Sequence, residues 1–233
     1  MCNFQQLKFQ RWETKLFTLY ADPITVNCRK VMAGLEFLGV DFERVHVDFF
    51  AGEHKEPAFT RLNPNASLPV LTDGDFVLWE SNAILQFAAD KHECSQAYPK
   101  DPLIRADIHR WMLWEAANWF ACCYVYMVEN CAKPLMDAEP DEEILAAQGE
   151  RFHQLAMILD ERLADQAWLC GDKPTIADIA VAAPMHMYDE AKLPVEPHKN
   201  LMRWMKKNIE SLPAWQNTHV GPGFTLVKPD NSD

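Results

Sequence analysis

Short apolar runs alternate with helical periods in the first third of the chain. The run at residues 16–20 precedes a turn that contains Pro23, and the apolar positions that follow recur at spacings of three and four. "ERVHVDF" predicts a second strand, and "LPVLTDGDFVLWES" predicts two strands joined at Asp73-Gly74, a strong hairpin signal. With helices predicted over residues 27–38, near 57–62 and over 81–91, the order is βαβ-α-ββα. This order indicates an α/β domain, a small mixed sheet covered by helices.

From Asp101 onward the period is helical almost throughout. Residues 101–120 begin with Asp at a cap position and Pro at the first helical position, and residues 141–165 form a second long amphipathic pattern. A third helix is predicted over residues 175–188, because Thr175 and Asp178 form a variant of the capping box. The second half of the chain is therefore predicted to be an all-α domain.

These patterns predict five segments along the chain. They are an N-terminal extension at 1–14, the α/β domain at 15–92, a linker at 93–101, the helical domain at 102–225 and a polar tail at 226–233. The 48% apolar content is enough for a buried core in a chain of 233 residues.

Charge and cysteine content narrow the classes of function. The net charge of −12 disfavours nucleic acid and anionic membrane surfaces as partners, because both attract excess Lys and Arg. Seven cysteines, an odd number without Cys-x-x-Cys spacing, fit neither a disulfide framework nor a zinc site, so no metal is predicted. The N-terminus lacks a secretion signal and no apolar stretch reaches about 20 residues, which predicts a cytoplasmic protein.

The stretch "PITVNCRKV" lies where a strand turns into a helix, the place where a thioredoxin-type fold carries a redox cysteine pair. Thr25 could simply cap the helix, which is worth about 1 kcal/mol, or its hydroxyl could help the helix N-terminus to stabilise an anion. Cys28 could be a buried small side chain, or a reactive thiol activated by the helix N-terminus, Arg29 and Lys30. The sequence leaves both choices open.

Two further features of the sequence suit a bound peptide that carries a free α-ammonium and α-carboxylate. A cis bond before Pro69 would turn the Leu68 backbone outward, open to an extended peptide, although an ordinary strand-entry proline fits the same pattern. Glu80 could accept from an α-ammonium, and Ser81 begins a helix whose N–H groups could hold an α-carboxylate.

His54 and Lys55 add local positive charge, or belong to solvated surface. Taken together, a thiol-stabilising hydroxyl, a free strand edge, an amino-acid clamp and a cation complement the four parts of glutathione. The sequence therefore points to a site for the thiol of a bound molecule.

Four blocks of residues resemble the soluble, cytosolic-type glutathione transferase family. "PITVNCRKV" is similar to the serine-type active-site block, with the Thr-x-Asn pattern of bacterial nu-type members at Thr25 and Asn27. "EHK" before "NPNASLP" is similar to plant phi-type members, and the pair Glu80-Ser81 and "GDKPTIAD" follow in the same order. The resemblance covers about residues 15–219 and identifies a bacterial, serine/threonine-type member. Thr25, Ala66 and Ser67 depart from the usual Ser or Tyr, Gly and Gln.

The resemblance implies a fold, a co-substrate and a set of site residues. The fold is a thioredoxin-like N-terminal domain followed by an all-α domain, the co-substrate is glutathione, and the assembly is a homodimer. Thr25 and Asn27 are the implied catalytic residues, and Trp114 and Tyr124 are candidates for the second-substrate pocket. The implied glutathione-binding residues are His54, Lys55, Ser67, Leu68, Pro69, Glu80 and Ser81.

Thiol activation is the implied chemistry. A free thiol with a pKa of about 8.5 is only about 3% ionised at neutral pH, and lowering that pKa by roughly two units raises the ionised fraction to roughly three quarters. The thiolate would then attack a small hydrophobic electrophile, or act in disulfide reduction or peroxide reduction. The alternatives are a glutathione thiol transferase that depends on Cys28 and a non-catalytic scaffold for protein interactions.

Overall fold

A four-stranded mixed sheet forms the centre of the first domain in the computed structural model, which describes residues 16–220. The strands are β1 (Phe17–Ala21), β2 (Phe42–His46), β3 (Val70–Asp73) and β4 (Phe76–Trp79). Their order is β2-β1-β3-β4, with β2 parallel to β1 and the other neighbours antiparallel. The predicted mixed sheet and its hairpin at Asp73-Gly74 are confirmed.

Three helices cover this sheet: α1 (Val26–Leu38), the short α2 (Pro57–Thr60) and α3 (Ser81–Lys91). Helix α1 ends at Gly39, whose φ of 68° is the left-handed conformation that glycine adopts most readily. Gly34 allows α1 to approach α3, because a Cβ at this position would come within 2.2 Å of a methyl carbon of Leu85. Small residues on α1 thus let two helices share one layer.

The second domain is entirely helical, as predicted. Its helices are α4 (Pro102–Trp114), α5 (Phe120–Met127), α6 (Lys133–Leu135), α7 (Glu142–Arg162), α8 (Ile176–Ala182), α9 (Lys199–Arg203) and α10 (Pro213–Asn217). Wider π-helical turns at Glu115–Trp119 and Val128–Ala132 join α4, α5 and α6 into one continuous helical stretch. Asp101 and Asp141 cap α4 and α7 by accepting from backbone N–H groups two and three residues ahead.

The capping box that opens α8 is present and extends into the core. Asp178 accepts from the Thr175 backbone and hydroxyl, and its second oxygen accepts from the Leu169 backbone and the Trp204 indole. The helix ends at Ala182 rather than at residue 188, because Pro184 supplies no N–H and its ring crowds the preceding turn. The chain then turns towards the junction between the domains.

A buried ion pair joins the two domains. Lys30 of α1 lies 2.9 Å from Glu115 at the start of the first π-helical turn, and both side chains are almost fully buried. The Lys30 ammonium also contacts Ser81, and Asn82 donates to both Glu115 and the Met112 backbone. Burial lowers the pKa of Lys30, while the Glu115 carboxylate opposes that shift. The pair therefore needs both partners to remain favourable.

Arg29 joins the domains in a second way. Its guanidinium is fully buried, stacks 3.9 Å over the ring of Trp215 in α10, and donates to the Trp215 carbonyl at 3.0 Å. Its Nε and Nη1 atoms make no hydrogen bond within residues 16–220. Arg29 and Lys30 are thus interface residues.

The predicted N-terminal extension and the polar tail lie outside the described residues. Across the described part of the chain, every helix is too short or too polar to serve as a membrane span.

Replacing Glu115 by Leu is expected to lower the free energy of unfolding by about 3 to 5 kcal/mol, because it leaves the buried Lys30 ammonium without its carboxylate. Lys30→Met should be similarly destabilising. The double variant should cost clearly less than the sum of the two single changes, because no charge is left unpaired. Urea unfolding of all four proteins tests this, and additive single effects would contradict the proposed coupling.

Candidate active site

Asp22 orders the turn between β1 and α1. Its carboxylate accepts from the Ile24 backbone N–H at 3.1 Å and from the Phe49 backbone N–H at 3.0 Å, which fixes the turn against the loop after β2. Sequence analysis did not single out Asp22. Its place one residue before Pro23 is a common position for an Asx turn, and this was the available signal.

Thr25 occupies the N-cap position of α1 but does not cap the helix with its side chain. Its hydroxyl donates instead to the Asp22 carbonyl at 3.1 Å. The helix hydrogen bonds begin with the Arg29 N–H donating to the Thr25 carbonyl, so the N–H groups before Arg29 have no helical partner. Thr25 is half-buried and lies at a helix end suited to an anion.

A directed chain of hydrogen bonds orients Asn27. The Lys30 ammonium can only donate, so Ser81 accepts from it at 3.2 Å and has its own proton free to donate. Ser81 gives that proton to the side-chain oxygen of Asn27 at 3.3 Å. The Asn27 amide nitrogen makes no hydrogen bond in the described part of the chain, so its two N–H groups are available to an acceptor.

Cys28 is a core residue. Its side chain is fully buried, and this burial raises the pKa of the thiol to about 12, although hydrogen bonds with Thr25 and the Asp22 backbone oppose the shift. Arg29 and Lys30, which would have activated the thiol in the reactive alternative, contact Trp215 and Glu115 instead. The geometry therefore favours the structural interpretation of Cys28.

The loop before β3 is held by Asn63, which sequence analysis missed. The buried Asn63 amide donates to the carbonyl and the hydroxyl oxygen of Ser67, and its oxygen accepts from the Asn65 backbone. Ala66 has a φ of 50°, a left-handed conformation that glycine adopts more readily than a residue with a Cβ. The Leu68-Pro69 bond that follows is cis.

His54 and Lys55 differ in their surroundings. His54 is buried and stacks on Phe49 with 4.7 Å between ring centroids, and its Nδ1 has no hydrogen-bond partner among the described residues. Burial, assisted by the charge of Lys55, lowers the pKa of His54, so at neutral pH its ring is uncharged. Lys55 is exposed and carries the positive charge of this segment alone.

Glu80 and Ser81 form the N-terminus of α3. Glu80 is exposed with a φ of 73°, a conformation that a side chain with a Cβ rarely adopts and that often marks a functional site. The first helical bond runs from the Ile84 N–H to the Glu80 carbonyl, so the N–H groups of Ser81, Asn82 and Ala83 have no helical partner. The Ser81 hydroxyl itself is engaged between Lys30 and Asn27.

A cavity of about 630 Å³ lies between the two domains. The first domain contributes residues at the start of α1 and on the loop before β3, including Ile24, Thr25, Asn27, Ser67 and Leu68. The helical domain contributes an apolar wall from α5 and the segments after it, namely Phe120, Tyr124, Met127, Cys131 and Leu135. The cavity thus joins a helix N-terminus with free donors to an apolar pocket.

The two aromatic candidates occupy different places. Tyr124 lines the cavity and stacks on Phe120 with 5.3 Å between centroids. Trp114 packs between Trp111 and Trp119 against the helical core and is not one of the lining residues. His54, Lys55, Pro69, Glu80 and Ser81 are not among the residues that line this cavity, although Ser81 donates a hydrogen bond to the lining residue Asn27.

His186 and Glu190 also line the cavity, and sequence analysis missed both. The His186 ring nitrogen Nδ1 lies 3.0 Å from the Ala183 carbonyl, and burial, followed by the charge of Arg29, lowers the pKa of His186 to about 3. No spacing rule marks these positions, because they reach the cavity only through the break that Pro184 makes in α8.

The depressed pKa of His186 predicts a pH dependence of stability. The unfolded chain binds a proton at this residue below about pH 6.5, whereas the folded chain does not until about pH 3, so stability is complete above pH 6.5 and is lost as pH falls. Between pH 7 and pH 5 the native chain should lose about 2 kcal/mol more stability than His186→Gln, measured by urea unfolding. His46→Gln on exposed β2 is the control, and parallel losses in native chain and His186→Gln would contradict the prediction.

Family comparisons give a consistent result over most of the chain. The family model for the Glutathione S-transferase, N-terminal domain matches residues 13–90, and the model for the Glutathione S-transferase, C-terminal domain matches residues 117–213. The two matched segments correspond to the sheet domain and the helical domain. Together they exceed half of the chain.

Individual relatives agree with the family models. Glutathione S-transferase F10 of Arabidopsis thaliana is 27% identical over 208 residues, which cover 86% of this chain and 95% of the relative. The crystal structure of glutathione transferase F7 from Populus trichocarpa is 26% identical, with a TM-score of 0.81 and coverage of 87% of this chain and 97% of that one.

A bacterial structure is similar to the same extent. A glutathione S-transferase from Pseudomonas fluorescens is 30% identical, with a TM-score of 0.75 and coverage of 89% of this chain and 98% of that one. With both family models matched, the chain belongs to the glutathione S-transferase family and is a glutathione transferase with glutathione as its co-substrate.

Proposed function

We propose that this glutathione transferase activates the thiol of glutathione at the N-terminus of α1 for attack on a small hydrophobic electrophile. The observation that carries the proposal is the single cavity that Thr25, Asn27 and the apolar residues of α5 line together. Donors for a thiolate and a surface for an apolar molecule meet in one space. This arrangement holds two reactants together and lowers the entropic cost of their encounter.

Asn27 is the better prepared donor to the sulfur. Its N–H groups have no partner among the described residues, and the hydrogen bond from Ser81 to its side-chain oxygen fixes the orientation of the amide. The Thr25 hydroxyl would have to leave the Asp22 carbonyl before it could donate to a thiolate. We therefore propose that Asn27 is oriented as a donor before glutathione binds, whereas the Thr25 hydroxyl rotates and becomes a donor when glutathione binds. The free N–H groups of α1 assist both residues.

The chemistry of the neighbouring residues indicates how the remaining parts of glutathione would bind. An extended peptide would pair with the backbone of Leu68 beside the cis Pro69, next to Ser67. The exposed Glu80 carboxylate suits the α-ammonium, and the free N–H groups at Ser81 suit the α-carboxylate. Lys55 suits the carboxylate at the other end of the peptide, with the uncharged His54 as packing support.

This geometry disfavours two of the alternative functions and is compatible with a third. The full burial and raised pKa of Cys28 disfavour a thiol transferase that uses it as nucleophile. A scaffold without catalysis has no use for oriented donors facing an apolar cavity. Disulfide reduction or peroxide reduction stays open as a second activity, because a thiolate held at Asn27 could attack sulfur or oxygen as well as carbon.

We also infer the setting in which the enzyme works. The similarity to the Pseudomonas fluorescens structure supports a bacterial origin, and the residues Thr25 and Asn27 themselves carry the assignment to a serine/threonine-type member with a nu-like pattern. All six described cysteines are free, which supports a reducing compartment such as the cytoplasm. Exposed apolar side chains on β4 and α4, including Phe76, Leu103 and Leu113, support a homodimer that covers them.

Thr25→Ala combined with Asn27→Ala is expected to return the bound thiol to a pKa about two units higher. Near pH 6.5 this change should lower kcat/KM with chlorodinitrobenzene about 50-fold, because the thiolate fraction falls from about one half to about one hundredth. Ultraviolet absorbance of the thiolate measures the pKa directly. Thr25→Ser keeps the hydroxyl and is the matched control, and an unchanged thiol pKa in the double variant would remove both residues from the role.

Light scattering is expected to give a mass twice the 26.8 kDa of one chain. Leu103→Glu with Leu113→Glu should shift the protein to a single chain, because charge on a buried apolar surface is unfavourable. Met157→Glu, at an exposed apolar residue of α7, is the control and should stay dimeric. A native chain of monomeric mass would contradict the homodimer.

A further inference from the structure

Three polar side chains of the helical domain line the cavity: Asn130, His186 and Glu190. The Asn130 amide nitrogen donates to the Ala191 carbonyl at 2.9 Å, which fixes its orientation. Its side-chain oxygen makes no hydrogen bond within residues 16–220. Asn130 therefore offers an acceptor to the cavity.

His186 offers a second acceptor. A carbonyl can only accept, so the Nδ1 atom that lies 3.0 Å from the Ala183 carbonyl carries the ring proton. Its other nitrogen, Nε2, then has a free lone pair, and no described residue donates to it. Burial and the neighbouring Arg29 keep the pKa of His186 far below neutral, so the ring remains an uncharged acceptor.

Glu190 supplies negative charge without a partner. It is half-buried, and it makes no ion pair or hydrogen bond with any residue that the structure describes. Its field reaches the neighbouring Cys131, where burial and then the Glu190 charge raise the thiol pKa to about 11, with the exposed Lys192 opposing. Among the described residues that line the cavity, Glu190 is the one with a net charge, and none is Lys or Arg.

The polar groups of the cavity lining have opposite preferences. The N–H groups at the start of α1 favour an anion such as a thiolate. Asn130, His186 and Glu190 present acceptors and one carboxylate, so they favour hydrogen-bond donors and positive charge and disfavour a second anion. The aromatic pair Phe120 and Tyr124 also belongs to the lining, and its rings can pack on an apolar body or on a cation.

We propose that the second substrate is an electrophile with an apolar body and a protonated amine at its far end, and that Glu190 is the residue that selects it. This inference rests on the proposed function, since it requires glutathione to bind with its thiol at Thr25 and Asn27. Asn130 and His186 accept from the N–H groups of the amine, while Glu190 balances its charge. An electrophile with a carboxylate at the same position is rejected.

Three S-substituted glutathiones of similar length test the proposal by calorimetry at neutral pH: S-hexylglutathione, S-(6-aminohexyl)glutathione and S-(5-carboxypentyl)glutathione. The aminohexyl compound should bind about 10-fold or more tightly than the carboxypentyl compound. High salt should reduce that ratio, because screening weakens the attraction to a half-buried carboxylate.

Glu190→Gln keeps the side-chain shape and removes the charge, so it should reduce the ratio of the two affinities about fivefold or more. Asp189→Asn is the matched control: it makes the same charge change at the neighbouring, exposed position outside the cavity lining, and it should leave the ratio unchanged.

The possible failures are distinguishable. Equal affinities for the two charged compounds, or a preference for the carboxylate, would overturn the substrate class. A preference that persists in Glu190→Gln would overturn the role of Glu190. If S-hexylglutathione also fails to bind, the glutathione site at Thr25 and Asn27 is itself wrong, and the proposal that rests on it falls with the proposed function.

Discussion

The buried pair of Lys30 and Glu115 is the interaction on which the rest of the site depends. It lies where α1 of the sheet domain meets the π-helical turn after α4, so it sets how the two domains meet. An isolated charge at that depth would cost several kcal/mol, and attraction between the two partners offsets that cost only while both are present. The junction therefore tolerates little change in the relative position of the two helices.

The same ammonium also determines the chemistry of the reactive end. Because Lys30 can only donate, Ser81 must accept from it and donate onward, and Asn27 must turn its N–H groups away from Ser81. A contact between domains thereby decides which end of an amide faces the cavity. Preorganised donors of this kind stabilise developing charge without paying for reorientation during the reaction.

The cavity lining combines polar groups of two kinds. The N-terminus of α1 leaves N–H groups without helical partners beside Thr25 and Asn27, and the segment after the break at Pro184 contributes His186 and Glu190. Apolar side chains of α5 belong to the same lining. A molecule that fills the cavity therefore meets donors, acceptors and an apolar surface within one space.

The sequence by itself determined the local elements of this protein. Alternation of apolar residues predicted the strands, Asp73-Gly74 predicted the hairpin, and Thr175 with Asp178 predicted the start of α8, because each depends on residues within one turn of the chain. Thr25 could likewise be placed at the start of α1.

Only the tertiary structure decided which charged and aromatic side chains are buried and which line the cavity. Arg29 and Lys30 have a sequence pattern typical of an activated helix N-terminus, yet they are buried against Trp215 and Glu115, residues far along the chain. Trp114 belongs to the helical core and His186 to the cavity for the same reason. Burial depends on which distant segments pack together, and periodicity along the sequence carries no information about those neighbours.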